Sequence, residues 1–233
     1  MNVRPWRNFY GRRKGKGLRP TQQRHLAEIL PRLRLPGVAL DENPDRKTID
    51  PVALAHGARA VWLEIGFGGG EHLHAMAKAH PDVCFLGCEP FVNGVAMLLG
   101  KIATDDPGNV RIHPGDVRDL VEVLATGTLG RVYLLYPDPW PKARHHKRRF
   151  ASSGTLAELA RVMAPGAELR LATDIPDYAE HAVAAAAEAG CFEPVVTGAP
   201  AWHAAWPGWP GTRYETKALR EGRVPHYLVW RRR

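Results

Sequence analysis

Five acidic residues stand at, or just beyond, the ends of apolar runs: Glu64 in LEIGFGGGEHL, Glu89 in GCEP, Asp116 in HPGDVRDL, Asp138 in YPDPWPK and Asp174 in ATD. The first is followed by glycines spaced Gly66-x-Gly68-x-Gly70, with Glu71 where the dinucleotide fingerprint GxGxxG has its last glycine. A pyrophosphate prefers the bare positive end of a helix, so an acid directly before this loop is poorly placed for one. It suits a cofactor that carries cationic groups and no phosphate. Asp138 is set between Pro137 and Pro139, followed by Trp140 and then by Lys142, Arg144, Lys147, Arg148 and Arg149. A rigid carboxylate next to a dense cationic run fits a polyanion one of whose bases is read by the acid.

S-adenosylmethionine has an ammonium, a sulfonium and no phosphate, and the acids suit it in order. Glu89 can accept both ribose hydroxyls, and Asp116 can accept from the adenine amino group, with the Val117 amide on the ring. The glycine loop, Gly66 and Gly68 above all, permits close approach. Taken singly, each acid could equally be a helix N-cap, the common use of Asp at such a place. His145 and His146 have no third ligand nearby in sequence, so no metal site is expected.

These residues need a scaffold that gathers strand ends. From Ala60 onward the chain alternates strands (60–67, 83–89, 110–113, 131–137, 168–174) with helices (70–80, 91–103, 116–125, 152–163, 175–190). That succession predicts a doubly wound, mostly parallel sheet with its ligands beyond the carboxyl ends of the strands. The five acids are therefore expected around one cleft. Apolar runs at 192–197 and 226–230 complete the sheet. Residues 21–35 have helical spacing interrupted by Pro31, 36–60 read as irregular, and 1–20 read as mobile until an anion orders them. Residues 1–35 thus form a basic arm and helix, and 36–233 the main domain.

The 233 residues and 45% hydrophobic content accommodate one α/β domain. The formal net charge of +8 is unevenly spread. Ten basic residues against one acid fall in 1–35, five against none in 142–149, and seven against two in 211–233, leaving about −11 for the rest. Three basic segments on an acidic body favour a nucleic acid over indiscriminate adhesion. No stretch approaches the roughly 20 apolar residues of a membrane span. Cys84, Cys88 and Cys191 form no CxxC pair and lie in apolar surroundings, which predicts reduced thiols and a cytoplasmic location. Nothing in the sequence requires a protein partner.

Together, EIGFGGG, GCEP, GDV, YPDPWPKARHHKRRF, ATD, TRYETKALREGR and the early RPTQQRHL resemble the bacterial tRNA (guanine-N7-)-methyltransferases. The resemblance implies a class I methyltransferase sheet of seven strands with the last antiparallel. It also implies S-adenosylmethionine-dependent methylation of tRNA guanine N7, at position 46 in the variable loop. By motif position it makes Glu64, Glu89 and Asp116 cofactor contacts and Asp138 the active-site acid. Lys142, Asp174, Thr212, Arg213, Tyr214 and Glu215 become substrate contacts. Arg213 and Tyr214 stand where the family more often has Lys and Phe. The three-Trp segment APAWHAAWPGWPG lies outside the family pattern; Trp202, Trp206 and Trp209 either face RNA or pin the loop to the body.

Guanine N7 carries a lone pair and no proton, so its methylation asks for orientation rather than a base. Asp138 can accept from guanine N1–H and N2–H together. Trp140 either stacks on that base or packs under its own loop. Lys142, Arg144, Lys147, Arg148 and Arg149 are expected on phosphates. The competing readings are methylation of an exocyclic amine, which uses an acid or Asn followed by Pro-Pro-aromatic, and a non-catalytic RNA-binding module, which leaves the glycine loop unexplained.

Overall fold

The computed structural model describes residues 8–53, 57–195 and 197–233. Residues 1–7 of the expected basic arm and Val196 of the expected 192–197 strand lie outside them. Seven strands form one sheet: β1 (Ala60–Ile65), β2 (Val83–Cys88), β3 (Val110–His113), β4 (Leu129–Leu135), β5 (Met163–Thr173), β6 (Phe192–Pro194) and β7 (His226–Arg232). Their order is β3-β2-β1-β4-β5-β7-β6. β7 runs antiparallel to both β5 and β6, and the other pairings are parallel. All six residues of β2 are buried, because helices cover both faces.

The helices are α1 (Pro20–Glu28), α2 (Leu30–Leu33), α3 (Glu71–Ala79), α4 (Val92–Thr104), α5 (Val117–Val123), α6 (Ser153–Val162), α7 (Pro176–Ala189) and α8 (Arg213–Arg220). One core joins α5, α6 and α7 to the sheet, and a second joins α3 and α4 to its other face. Pro31 sits in the first turn of α2, so the expected kink is the break between α1 and α2. α7 starts on Pro176 and ends on Gly190 at φ 69°, whose N–H donates to the Ala186 and Ala187 carbonyls.

Two expectations are corrected. The basic arm is not loose along residues 8–20. Val92 N–H donates to the Arg13 carbonyl, Gly15 N–H to Asn93 Oδ1, and Asn93 Nδ2 to the Lys16 carbonyl, which ties the arm to the start of α4. Residues 213–220, given no helix from sequence, form α8, capped by the Thr212 hydroxyl accepting from Glu215 N–H at 3.0 Å. The Trp loop is pinned to the body. Trp206 is buried, with its ring 4.9 Å from Trp209 and 5.7 Å from Tyr227, while Trp202 packs half-buried against the first core.

α4 approaches the glycine loop so closely that a Cβ on Gly94 would lie 2.4 Å from the Gly68 carbonyl oxygen. Gly100, in the same helix, has no neighbour nearer than 3.9 Å to such a carbon. Gly94→Ala should lower the unfolding free energy by about 1–3 kcal/mol through overpacking. Gly100→Ala should raise it by about 0.5–1 kcal/mol. Urea titration of the two variants checks the opposite signs.

Candidate active site

β1, β2, β3 and β4 end side by side, and the loops leaving them surround a cleft of about 630 Å³. Gly66, Gly68, Glu89, Asp116, Val117 and Asp138 line it, together with Tyr136, Trp140, Lys147, Arg148 and Tyr214. Gly66 and Gly68 take φ of 68° and 55°, left-handed values that let the chain turn back under Glu89.

Glu89 is buried and gripped from both sides. Its Oε2 accepts from Gly68 N–H at 2.6 Å and its Oε1 from Phe91 N–H at 2.8 Å. Each oxygen keeps a further lone pair, the arrangement a pair of vicinal hydroxyls needs. Burial pushes the carboxyl up to about 7, against the pull of those two N–H groups, and the negative charges of Asp138 and Glu64 add to the rise. Asp116 combines both uses foreseen for it. It caps α5, accepting from Arg118 N–H at 3.0 Å, and its Oδ2 takes Arg118 Nη2 at 2.5 Å, yet it still faces the cleft.

Two of the five strand-end acids leave the cleft. Glu64 turns inward and its Oε2 meets His72 Nδ1 of α3 at 2.6 Å, both side chains being buried. A buried acid has no water to face, so it takes a polar partner from the helix packed above it. Asp174 is held by Arg223 Nε at 2.5 Å, away from the residues that line the cleft. Glu71 pairs with the guanidinium of Arg213 and puts a carboxylate at the α3 N-terminus, where a pyrophosphate would otherwise sit.

Asp138 is exposed and makes no hydrogen bond or ion pair with another described residue. Its neighbours two positions away on each side, Tyr136 and Trp140, have φ of 48° and 43°. Left-handed backbone at two aromatic residues is costly and is concentrated at this loop. Trp140 packs edge-on to Tyr10 and His145, with the Arg148 guanidinium between the Tyr10 ring at 4.6 Å and its own at 5.0 Å. It therefore packs within the loop's own surroundings. Lys142, Arg144 and Lys147 project from the short 3-10 helix Ala143–Arg148 and its N-cap and are exposed.

Arg149 departs from that run: its side chain is fully buried and bonded to the Pro139 carbonyl and to Asp177, so it presents nothing to a phosphate. Thr212 and Glu215 are similarly engaged within the fold. Thr212 caps α8, and Glu215 accepts from Trp209 Nε1 at 2.9 Å and from the Tyr227 hydroxyl. Of that quartet only Tyr214 reaches the cleft, its ring near-parallel to Tyr136 at 6.4 Å; Arg213 lies exposed over Glu71. Sequence reasoning missed Tyr136, Arg118 and the stretch Asn8–Arg12, which also lines the cleft. The adjacent aromatics Phe9 and Tyr10 within a basic arm were the available signal for the last. Among the described residues no group of three His, Cys, Asp or Glu could hold a metal. Nor is any helix there long and apolar enough to cross a membrane.

A family model described as "Putative methyltransferase" matches residues 58–228. The tRNA (guanine-N(7)-)-methyltransferase of Paracoccus denitrificans is 55% identical over 229 residues, 98% of this chain and 96% of that protein. Its counterpart in Cereibacter sphaeroides is 56% identical over 227 residues, 97% and 92%. Among solved structures, the 16S rRNA methyltransferase KamB superposes with a TM-score of 0.54 at 18% identity, covering 78% of this chain and 91% of its own. A mutant 16S rRNA (adenine(1408)-N(1))-methyltransferase from Catenulisporales acidiphilia, with its cosubstrate SAM, gives 0.53 at 16%, covering 78% and 89%. These two share the fold, the class I methyltransferase sheet. The chain belongs to the tRNA (guanine-N(7)-)-methyltransferase family, and it is a methyltransferase.

The raised Glu89 carboxyl allows a test of whether it holds a cofactor diol. A diol that donated to it would favour the ionised form, so binding would lower the pKa from about 7 and release a proton. S-adenosylmethionine affinity should be constant above pH 8 and fall below pH 7, approaching tenfold per unit. Calorimetry in buffers of different ionisation enthalpy checks the proton release, and an NMR titration of the Glu89 carboxyl checks the starting value.

Proposed function

We propose, from that family membership and from the free carboxylate of Asp138 at the cleft mouth, that the chain methylates N7 of a guanine in tRNA, position 46 of the variable loop. The residues present fit S-adenosylmethionine as donor. The doubly gripped Glu89 offers two lone pairs to a ribose, Asp116 and the Val117 N–H face the adenine, and the glycine loop admits close approach. When bound, the donor supplies a methyl on a sulfonium sulfur: guanine N7 forms the new bond with its lone pair, and sulfur leaves with the electrons of the broken S–C bond. Glu64 has no part in this reading, because its carboxylate is committed to His72.

Asp138 accepts from guanine N1–H and N2–H, a pairing that adenine cannot offer, and thereby turns N7 toward the methyl group. Among the described residues neither of its oxygens has a partner, which leaves both available. Tyr136 and Tyr214 stand at the place where the base enters, with rings near-parallel. Lys142, Arg144 and Lys147 take the flanking phosphates, and Arg148, held between Tyr10 and Trp140, joins the arm to that basic rim. The ring that forms is cationic, and the carboxylates of Asp138 and Glu89 stabilise it. A tRNA substrate and the free cysteines both agree with a cytoplasmic protein.

Incubation with labelled donor and unmodified tRNA, followed by borohydride and aniline scission, should cut the chain at one guanine of the variable loop. With donor and tRNA saturating, the rate should be nearly flat from pH 6 to pH 9, since no proton leaves the nucleophile. Asp138→Ala should lose roughly 10²-fold or more in turnover while retaining the methyl donor, and Asp138→Asn should fall between. A rate that climbs tenfold per unit through neutrality and is flattened by Asp138→Asn would instead indicate an exocyclic amine as the acceptor.

A further inference from the structure

Arg149 is the one member of the 142–149 basic run whose side chain is completely hidden from solvent. Each of its three nitrogens donates a hydrogen bond within the fold. Nε donates to the Pro139 carbonyl at 3.0 Å, Nη1 donates to the Asp177 carbonyl at 3.3 Å, and Nη2 pairs with Asp177 Oδ2. The ring of Tyr178 lies 5.3 Å beneath it. Asp177, at the first turn of α7, is 60% exposed and lowered in pKa by the hydrogen bond from Arg149, so the pair is a charge-compensated bridge.

The bridge ends on the residue directly after Asp138. Prolines at 137, 139 and 141 deprive the loop of three N–H donors, and the chain there is bent by left-handed backbone at Tyr136 and Trp140. Upstream, the Tyr136 N–H donates to the Ala172 carbonyl at 2.7 Å. Among the described residues, segment 137–141 receives one hydrogen bond, and Arg149 gives it. A strained loop with so few hydrogen bonds of its own depends on contacts from outside it, and Arg149 supplies the hydrogen bond next to Asp138.

We propose that Arg149 is a positioning residue for the methyl transfer: through the Pro139 carbonyl and the Asp177 anchor it sets where the Asp138 carboxylate stands. It does not bind RNA phosphate. The geometry favours this role because a lysine offers one point charge where the fork of arginine joins two elements at once. The inference rests on the proposed function for the meaning of Asp138, and the two fail in different ways.

The test compares wild type with Arg149→Lys and Asp177→Asn in the full-length protein. Single-turnover rates are measured at saturating S-adenosylmethionine and tRNA, and tRNA affinity is measured over a range of salt. Arg149→Lys should reduce the rate roughly 10- to 100-fold, with the affinities for donor and tRNA and the salt slope unchanged. Asp177→Asn, which removes the charge of the anchor but keeps its size, should reduce the rate about three- to tenfold without tightening tRNA binding. A phosphate-binding Arg149 predicts the reverse. Arg149→Met would then lower the slope of log affinity against log salt by about 0.9 at unchanged saturating rate, and Asp177→Asn would bind tRNA more tightly by freeing the guanidinium. Either of those results overturns the proposal, as does a crystal structure of Arg149→Lys in which residues 136–140 superpose on the wild type. If wild type itself left guanine N7 unmethylated, the proposed function would fall, and that crystal structure would still decide whether Arg149 holds the loop.

Discussion

The grip of two backbone N–H groups on the Glu89 carboxylate is the contact from which the rest of the cleft takes its shape. It joins the glycine loop after β1, the end of β2 and the approach to α4 through a single side chain. The Cβ-free surfaces of Gly68 and Gly94 make the joint possible, since the carbonyl of one nearly touches the α-carbon of the other. Burial of a carboxylate is unfavourable, and the rise of its pKa to about 7 shows that two hydrogen bonds offset only part of that cost. The site is thus built under electrostatic tension, with Asp138 and Glu64 adding negative charge, and a ligand bearing hydroxyl donors and positive charge relieves it.

Across the cleft the constraints are of another kind. The loop after β4 is fixed by geometry: three prolines, two aromatic residues in left-handed backbone, and a buried arginine fastened to α7. Its carboxylate is exposed and has no partner among the described residues. One wall therefore holds its acid with two backbone N–H groups, while the other leaves its acid open at the cleft. The arm and the 142–149 run meet at the rim, where Tyr10 and Trp140 hold Arg148 between them.

The sheet and most helices were legible because strand and helix periods alternate without interruption from Ala60 to Gly190. The cleft acids Glu89, Asp116 and Asp138 were legible because each lies within three residues after a strand end. What escaped had a non-local cause. Glu64 lies one residue inside the end of β1, and the partner that turns it inward, His72, is fixed only once α3 packs on the sheet. Arg149 is indistinguishable in sequence from Arg148, and its burial depends on Asp177, 28 residues away. Thr212 and Glu215, substrate contacts by the family resemblance, carry the spacing of a helix cap and act as one here. The arm reads as disordered by composition, yet Asn93 secures it by accepting from Gly15 N–H and donating to the Lys16 carbonyl. The three-Trp loop left two readings open, and contacts with Tyr227 settle its packing.

The strand order β3-β2-β1-β4-β5-β7-β6 has a consequence for how the molecule is made. Of the seven strands, β7 leaves the ribosome last, yet it occupies an interior position and supplies every partner that β6 has in the sheet. Until His226–Arg232 have emerged, β5 presents a bare edge and Phe192 lacks the strand it pairs with. A nascent chain halted short of that point holds four of its parallel pairings and an open, apolar flank, the kind of surface that recruits chaperones or other chains. The antiparallel return is therefore the act of closure, and a synthesis error within those seven residues exposes more of the interior than one of equal length at β3.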